Sequence, residues 1–184
     1  AQKLKGEDPL SFYYGYYGRK VDYKKARLTA YANLLDDLSV IKKYQYMDSS
    51  LGSLSVLMMV YVNGQGVERN FDLGMLFAAS IIDFAYIALE NIEQLNSSNW
   101  NGHNFDLCDN NGGSIMDGYC ASIRQNVKQT KEKKELDRIT KNWISGELEA
   151  FYLLQKIAYI YFSHKAEVET DQTGTGRVTF VIEE

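Results

Sequence analysis

The sequence predicts an all-α fold in which two helical hairpins stack as a short solenoid and lead into a smaller helical module. Three observations predict it. A single proline, Pro9, leaves the 184 residues almost free of helix breakers. Apolar residues recur at spacings of three and four along several stretches. A glycine-marked turn pattern occurs twice. The chain is long enough to bury a core without metal or disulfide scaffolding. Its composition, 45% hydrophobic and 24% charged, is that of a globular protein. A formal net charge of −4 offers no basic footprint for nucleic acid. The longest apolar run, Leu54 to Val62, falls well short of the roughly 20 residues that span a bilayer.

The first hairpin lies in FYYGYYGRKVDYKKARLTAYANLL, residues 12–35. Gly18 marks its turn, and Val21 and Tyr23 are expected to plug the gap between its helices. Ala26, Ala30, Leu34, Leu38 and Ile41 then continue an apolar stripe. The second hairpin is clearer. In residues 51–91 an apolar helix ends at Asn63-Gly64 and another begins near Asn70. That second helix carries Gly74, Ala78, Ile81, Ile82, Ala85, Ala88, Leu89 and Ile92 as one stripe, with small residues that permit close helix approach. Gly18 and Val21 take the places of Gly64 and Val67, and Tyr23 that of Phe71. The offset is 46 residues at the glycines and 48 at the aromatics, which predicts a first loop two residues shorter. Gly18, Gly64 and Gly66 are read as structural turn residues, because a tight turn between antiparallel helices needs glycine where the backbone goes left-handed.

Tyr61-x-x-Gly64-x-Gly66-Val67 followed by Asn70-Phe71 resembles the SEL-one-like repeat, an α-solenoid relative of the tetratricopeptide repeat. The first copy has Lys20 where a second glycine is usual and carries the familiar Asp22-Tyr23-x-Lys25-Ala26. Two repeats cover roughly residues 9–92. The resemblance implies a scaffold for protein contacts rather than chemistry. The first domain is accordingly placed at residues 1–92 and the second at 93–184.

From Asn91 to Gly118 the composition turns to Asn, Ser, Gly and Asp, with Asn96 to Asn101 reading as a loop and Trp100 and Phe105 as anchors beneath it. Cys108 and Cys120, with eleven residues between them, suit a loop closed by one disulfide, and equally two unrelated buried thiols. With only His103 nearby, they lack a zinc ligand set. Tyr119, Ile123 and Val127, then Leu136, Ile139 and Trp143, mark one helix or two helical pieces around the run KQTKEKKE, a solvated face with charges suited to pairing along a helix. A further helix from about Glu147 to Glu167 puts Leu148, Phe151, Leu154, Ala158, Tyr161 and Phe162 on one side. In the last stretch Val178, Phe180 and Ile182 alternate like a strand, while Thr173 or Thr175 suits a helix cap, and periodicity leaves both open.

The order of FDLCDNNGGSIMDGYCASI, KNWISGELEAFYLLQKIAYIYF and EVETDQTGTGR resembles the LprI-type lysozyme-inhibitor family over roughly residues 105–184. Glu169, Asp171, Thr173, Gly174, Thr175 and Arg177 match that family's Glu-x-Asp-x-Ser/Thr-Gly-Thr-x-Arg segment. The resemblance implies a continuing helix beyond it, so that the chain looks truncated. It also implies export to the periplasm or cell surface as a mature form without its signal peptide, and a Cys108–Cys120 disulfide.

No catalytic, cofactor or metal constellation stands out. His103 and His164 lie in different modules, and Gly64-Gln65-Gly66 has neither the preceding strand nor the Lys-Ser/Thr of a phosphate loop. The adjacent Asp36 and Asp37 diverge by about 100° on a helix. The unusual feature is aromatic. Among 14 tyrosines, Tyr13, Tyr14, Tyr16 and Tyr17 crowd five positions. They cannot all face one core, so Tyr13, Tyr16 and Tyr17, with Arg19 beside them, are the candidate partner-binding residues, and packing between repeats is the competing role. The expected function is that of an exported protein, without enzymatic activity or cofactor, that binds and blocks an envelope-attacking enzyme, either a lysozyme-like hydrolase or a toxin effector. A periplasmic adaptor or assembly scaffold is the alternative.

Overall fold

Seven helices carry all the regular structure that the computed structural model describes, which covers residues 4–44, 51–81, 85–97, 104–109 and 114–169. They are α1 (Pro9–Tyr14), α2 (Tyr23–Tyr44), α3 (Leu51–Asn63), α4 (Phe71–Ala79), α5 (Ala85–Ser97), α6 (Ser114–Thr140) and α7 (Ser145–Glu169). Among the described residues there is no strand, which agrees with the all-α expectation. Trp100, His103 and the C-terminal segment with Asp171, Thr173, Gly174, Thr175, Arg177, Val178, Phe180 and Ile182 lie outside the described residues. The chain divides into two compact units, residues 1–112 and 113–184.

The first unit is organised around α3. This helix is apolar on every side, so it is stable only when surrounded. It packs against α1, α2 and α4, and Leu54 and Val56 to Val60 are all buried. Within it Ser55 returns its hydroxyl to the Leu51 carbonyl at 2.7 Å. Across the helices, Tyr31 Oη of α2 lies 2.9 Å from Tyr61 Oη of α3, and Phe77 of α4 stacks on Tyr61 at 5.9 Å. Gly74 allows α4 to approach closely, since a Cβ there would meet Val62 Cγ2 at 2.5 Å.

The two hairpins share a backbone bond. The Asp22 N–H donates to the Phe12 carbonyl and the Asn70 N–H to the Tyr61 carbonyl, both at 2.9 Å. Each of these residues then caps the following helix. Asp22 Oδ1 accepts from the Lys25 N–H at 2.8 Å, and Asn70 Oδ1 accepts from the Leu73 N–H at 2.9 Å. Three sequence expectations change here. The glycine that ends α1 is Gly15, with φ of 74° and its N–H on the Ser11 carbonyl, so Gly15 rather than Gly18 is the counterpart of Gly64. The first loop, residues 15–22, is therefore one residue longer than the second, residues 64–70, not two shorter. Tyr23 does fill the gap, with its ring 5.2 Å from that of Tyr13, but Val21 is about half exposed.

The stripe from Gly74 to Ile92 does not belong to one helix. Helix α4 stops at Ala79, where Ser80 returns its hydroxyl to the Leu76 carbonyl and the Ser80 and Ile81 N–H groups tighten onto Phe77 and Ala78. Helix α5 then includes Asn96 and Ser97, which the composition assigned to a loop.

In the second unit α6 is one continuous helix through the KQTKEKKE run, which is exposed apart from Thr130. Thr130 is buried and its hydroxyl donates to the Asn126 carbonyl. Met116, Cys120, Ala121 and Ile123 are buried as well. Helix α7 starts with a reciprocal cap, because Glu147 Oε2 accepts from the Ile144 N–H at 3.0 Å while the Ile144 carbonyl accepts from the Glu147 N–H. Trp143 packs edge-on against Phe151 at 5.6 Å. The apolar residues of α7 are not confined to one side, and most of them are exposed.

Candidate functional site

The candidate contact residues sit on α1 and on the turn that follows it. Asp8 caps α1 by accepting from the Leu10 N–H at 2.9 Å, and Pro9 starts the helix with its φ already set. The cap also receives the Tyr16 hydroxyl on its other carboxylate oxygen. One aspartate thus ties the beginning of the helix to the turn at its end.

The four tyrosines of the cluster have four different positions. Tyr13 is 6% exposed and belongs to the core, with its ring edge-on to those of Tyr14 and Tyr23. Its hydroxyl accepts from Asn63 Nδ2 at 3.3 Å, and burial pushes its phenol far above the ordinary range. Half-buried Tyr14 donates to both carboxylate oxygens of Asp106 at 2.9 and 3.0 Å. Tyr16 is 2% exposed. Only Tyr17 turns to solvent, at 66% exposed, with its ring edge-on to Tyr16 at 4.8 Å. Burial therefore removes Tyr13 and Tyr16 from any surface a partner could touch, because the hairpin uses their rings to fill its own interior.

Tyr17 has a backbone φ of 55°, the one positive value among the described non-glycine residues. A tyrosine in the left-handed region is strained by about 1–2 kcal/mol. The turn is held in that state from both sides. Gly18 follows with φ of 74°, and the Arg19 N–H donates to the Tyr16 carbonyl at 3.2 Å. The Arg19 guanidinium pairs with Glu7 at 2.8 Å and lies 4.0 Å above the Phe12 ring centroid, while Lys25 Nζ approaches the same ring at 4.1 Å. Arg19 is thus half-buried and engaged within the turn. Lys20 and Val21, which follow in the same turn, are exposed as well. Gly64 and Gly66 shape the second turn with φ of 68° each.

A second set of residues gathers around Phe105, which the sequence marks as an anchor and which is buried, but its partners carry no signal there. The buried Asn63 side chain reads the backbone of Phe105 with both ends of its amide, accepting from the N–H at 2.7 Å and donating to the carbonyl at 2.8 Å. The Leu107 N–H points at Met59 Sδ, and Asp106 accepts from the Cys108 N–H at 2.9 Å. Residues 104–109 therefore return to the ends of α1 and α3. Cys108 and Cys120 form a disulfide, and Cys120 is fully buried.

Of the candidate contact residues, Tyr17 is the exposed one. Among the described residues no three ionisable side chains are grouped as metal ligands, and no helix is long and apolar enough to cross a membrane. His164 is exposed on α7. Comparison of the chain with protein families, curated proteins and solved structures finds no match.

Proposed function

We propose that the chain is an exported binding protein that docks on an enzyme attacking the cell envelope, a lysozyme-like hydrolase or a secreted toxin, and blocks it without turnover. The observation that carries this reading is Tyr17, an exposed aromatic side chain on a turn held in one shape by Gly18 and by the Arg19 N–H on the Tyr16 carbonyl. A rigid tyrosine loses little entropy on docking and brings a large ring with a hydroxyl to satisfy, which are the properties of an interface anchor. Lys20 and Val21, three and four positions on in the same turn, are exposed as well. The bond pattern common to the two hairpins supports treating residues 9–92 as SEL-one-like repeats serving as the frame. The motif order over residues 105–184, which resembles the LprI-type inhibitors, supports the class of target and export to the periplasm or cell surface.

The test is the activity of purified muramidases, amidases and lipases with and without the protein. Inhibition of at least one, weakened at least tenfold by Tyr17→Ala, is the expected result, since an anchoring aromatic residue contributes about 1.4 kcal/mol or more. Full activity of all three classes in the presence of excess protein would remove the inhibitor reading.

A further inference from the structure

We infer that α7 is a self-association surface, on which a second copy of this chain pairs its own α7 in the antiparallel sense. The helix is unlike the others. Leu153, Leu154, Ile157, Ile160, Tyr161 and Phe162 are each 46–64% exposed. A helix with apolar residues on most of its circumference is a buried helix awaiting its neighbour.

Two apolar sides can be distinguished. Leu153, Ile157 and Ile160, flanked by Leu154 and Tyr161, occupy about 120° of arc. The opposite side has Tyr152, Tyr159 and Phe162 and is mostly tyrosine, whose hydroxyls tolerate water. The aliphatic side is the one that water penalises, and it is the proposed interface. At roughly 200 Å² for a large side chain, its five residues present on the order of 600 Å² per chain, so two copies bury about 1,200 Å², the lower bound of a stable interface.

Charge selects the orientation. Glu147 and Lys165 stand at opposite ends of α7, eighteen residues apart, which is about five turns, so both fall on the same edge of the aliphatic face. In a parallel pair the two copies of this edge lie on opposite sides of the contact, and neither charge meets its opposite. In an antiparallel pair the edges of the two copies meet end for end, and Glu147 of one copy lies beside Lys165 of the other at both ends of the contact. The helix dipoles also oppose favourably in that sense. Lys156, near the two-fold axis, lies about 40° of arc beyond Ile160 at the opposite edge of the face, where its long stem lets the ammonium turn outward to water.

The experiment is sedimentation equilibrium of the full chain over a concentration series. The wild type is expected to dimerise reversibly, and Ile157→Glu to remain a monomer with an unchanged helical circular dichroism spectrum. Glu147 and Lys165 are about 27 Å apart along one helix and cannot touch within a chain. Glu147→Gln and Lys165→Gln, the first of which retains the cap on Ile144, should each weaken dimerisation roughly threefold, and the double variant no more than either alone. A monomeric wild type at every concentration would overturn the proposal. So would a dimer that Ile157→Glu leaves intact, or one in which the two charge substitutions act independently.

Discussion

Asn63 shows what one polar side chain does when buried. It ends α3, reaches Phe105 42 positions further along the chain, and satisfies both backbone groups of that residue. Asn63→Leu keeps the branched heavy-atom outline and leaves a buried N–H and carbonyl unpaired, so it should cost about 2–4 kcal/mol in urea unfolding. Tyr17 makes the opposite case. Tyr17→Gly relieves the positive φ and should leave stability unchanged or raise it by about 1 kcal/mol in the same measurement, while abolishing whatever contact the ring makes. The buried phenols predict a pH dependence. Burial raises Tyr13, and burial together with the bond to Tyr61 pushes Tyr31 up to about 12. Below about pH 10 the phenols are neutral in both the folded and unfolded chain, so stability is fully retained. As pH rises above about 10 the unfolded chain ionises and the folded one does not, and stability should fall steadily toward about pH 12. Denaturant midpoints measured from about pH 8 to about pH 11.5 check this, and a flat profile would contradict the assigned burial. These residue-level roles are only partly readable in the sequence. Four tyrosines in five positions require unequal environments, but which of them faces water depends on where α1 stops, and Gly15 decides that.

At the level of the helices, close approach is the quantity that matters. Gly74→Ala places a methyl group against Val62, and the resulting overpacking should outweigh the gain in helix propensity, for a net loss of about 1–2 kcal/mol. Gly146 in α7 would carry a Cβ with nothing within 4 Å of it, so the same change there should raise stability by up to about 1 kcal/mol. Thermal unfolding of the two variants should therefore move in opposite directions. The ends of the second hairpin's turn were legible because they depend on local chemistry: Asn63-Gly64 stops a helix, and Asn70 starts one by accepting from the Leu73 N–H. The break between α4 and α5 was not, because the apolar spacing runs through Ser80 and Ile81 without interruption and only the hydrogen bonds around Ser80 reveal the stop.

For the molecule as a whole, the Cys108–Cys120 bridge restricts the unfolded chain by closing a loop with eleven residues inside it. Cys108→Ser should lower stability by roughly 3 kcal/mol, and reductant should then have no further effect on that variant. Composition and apolar spacing were enough to establish that the regular structure of the described residues is helical, since a 3.6-residue period and a near absence of proline are properties of the chain alone. The cysteine spacing was compatible with a bridge but equally with two thiols, because spacing does not report distance in space. Partnership between distant residues was beyond the reach of any local pattern. Whether α3 would be surrounded while α7 stayed bare, and whether Asp106 would meet Tyr14, depended on which surfaces the folded backbone brings together, and burial is a property of neighbours that a side chain does not carry in its own identity.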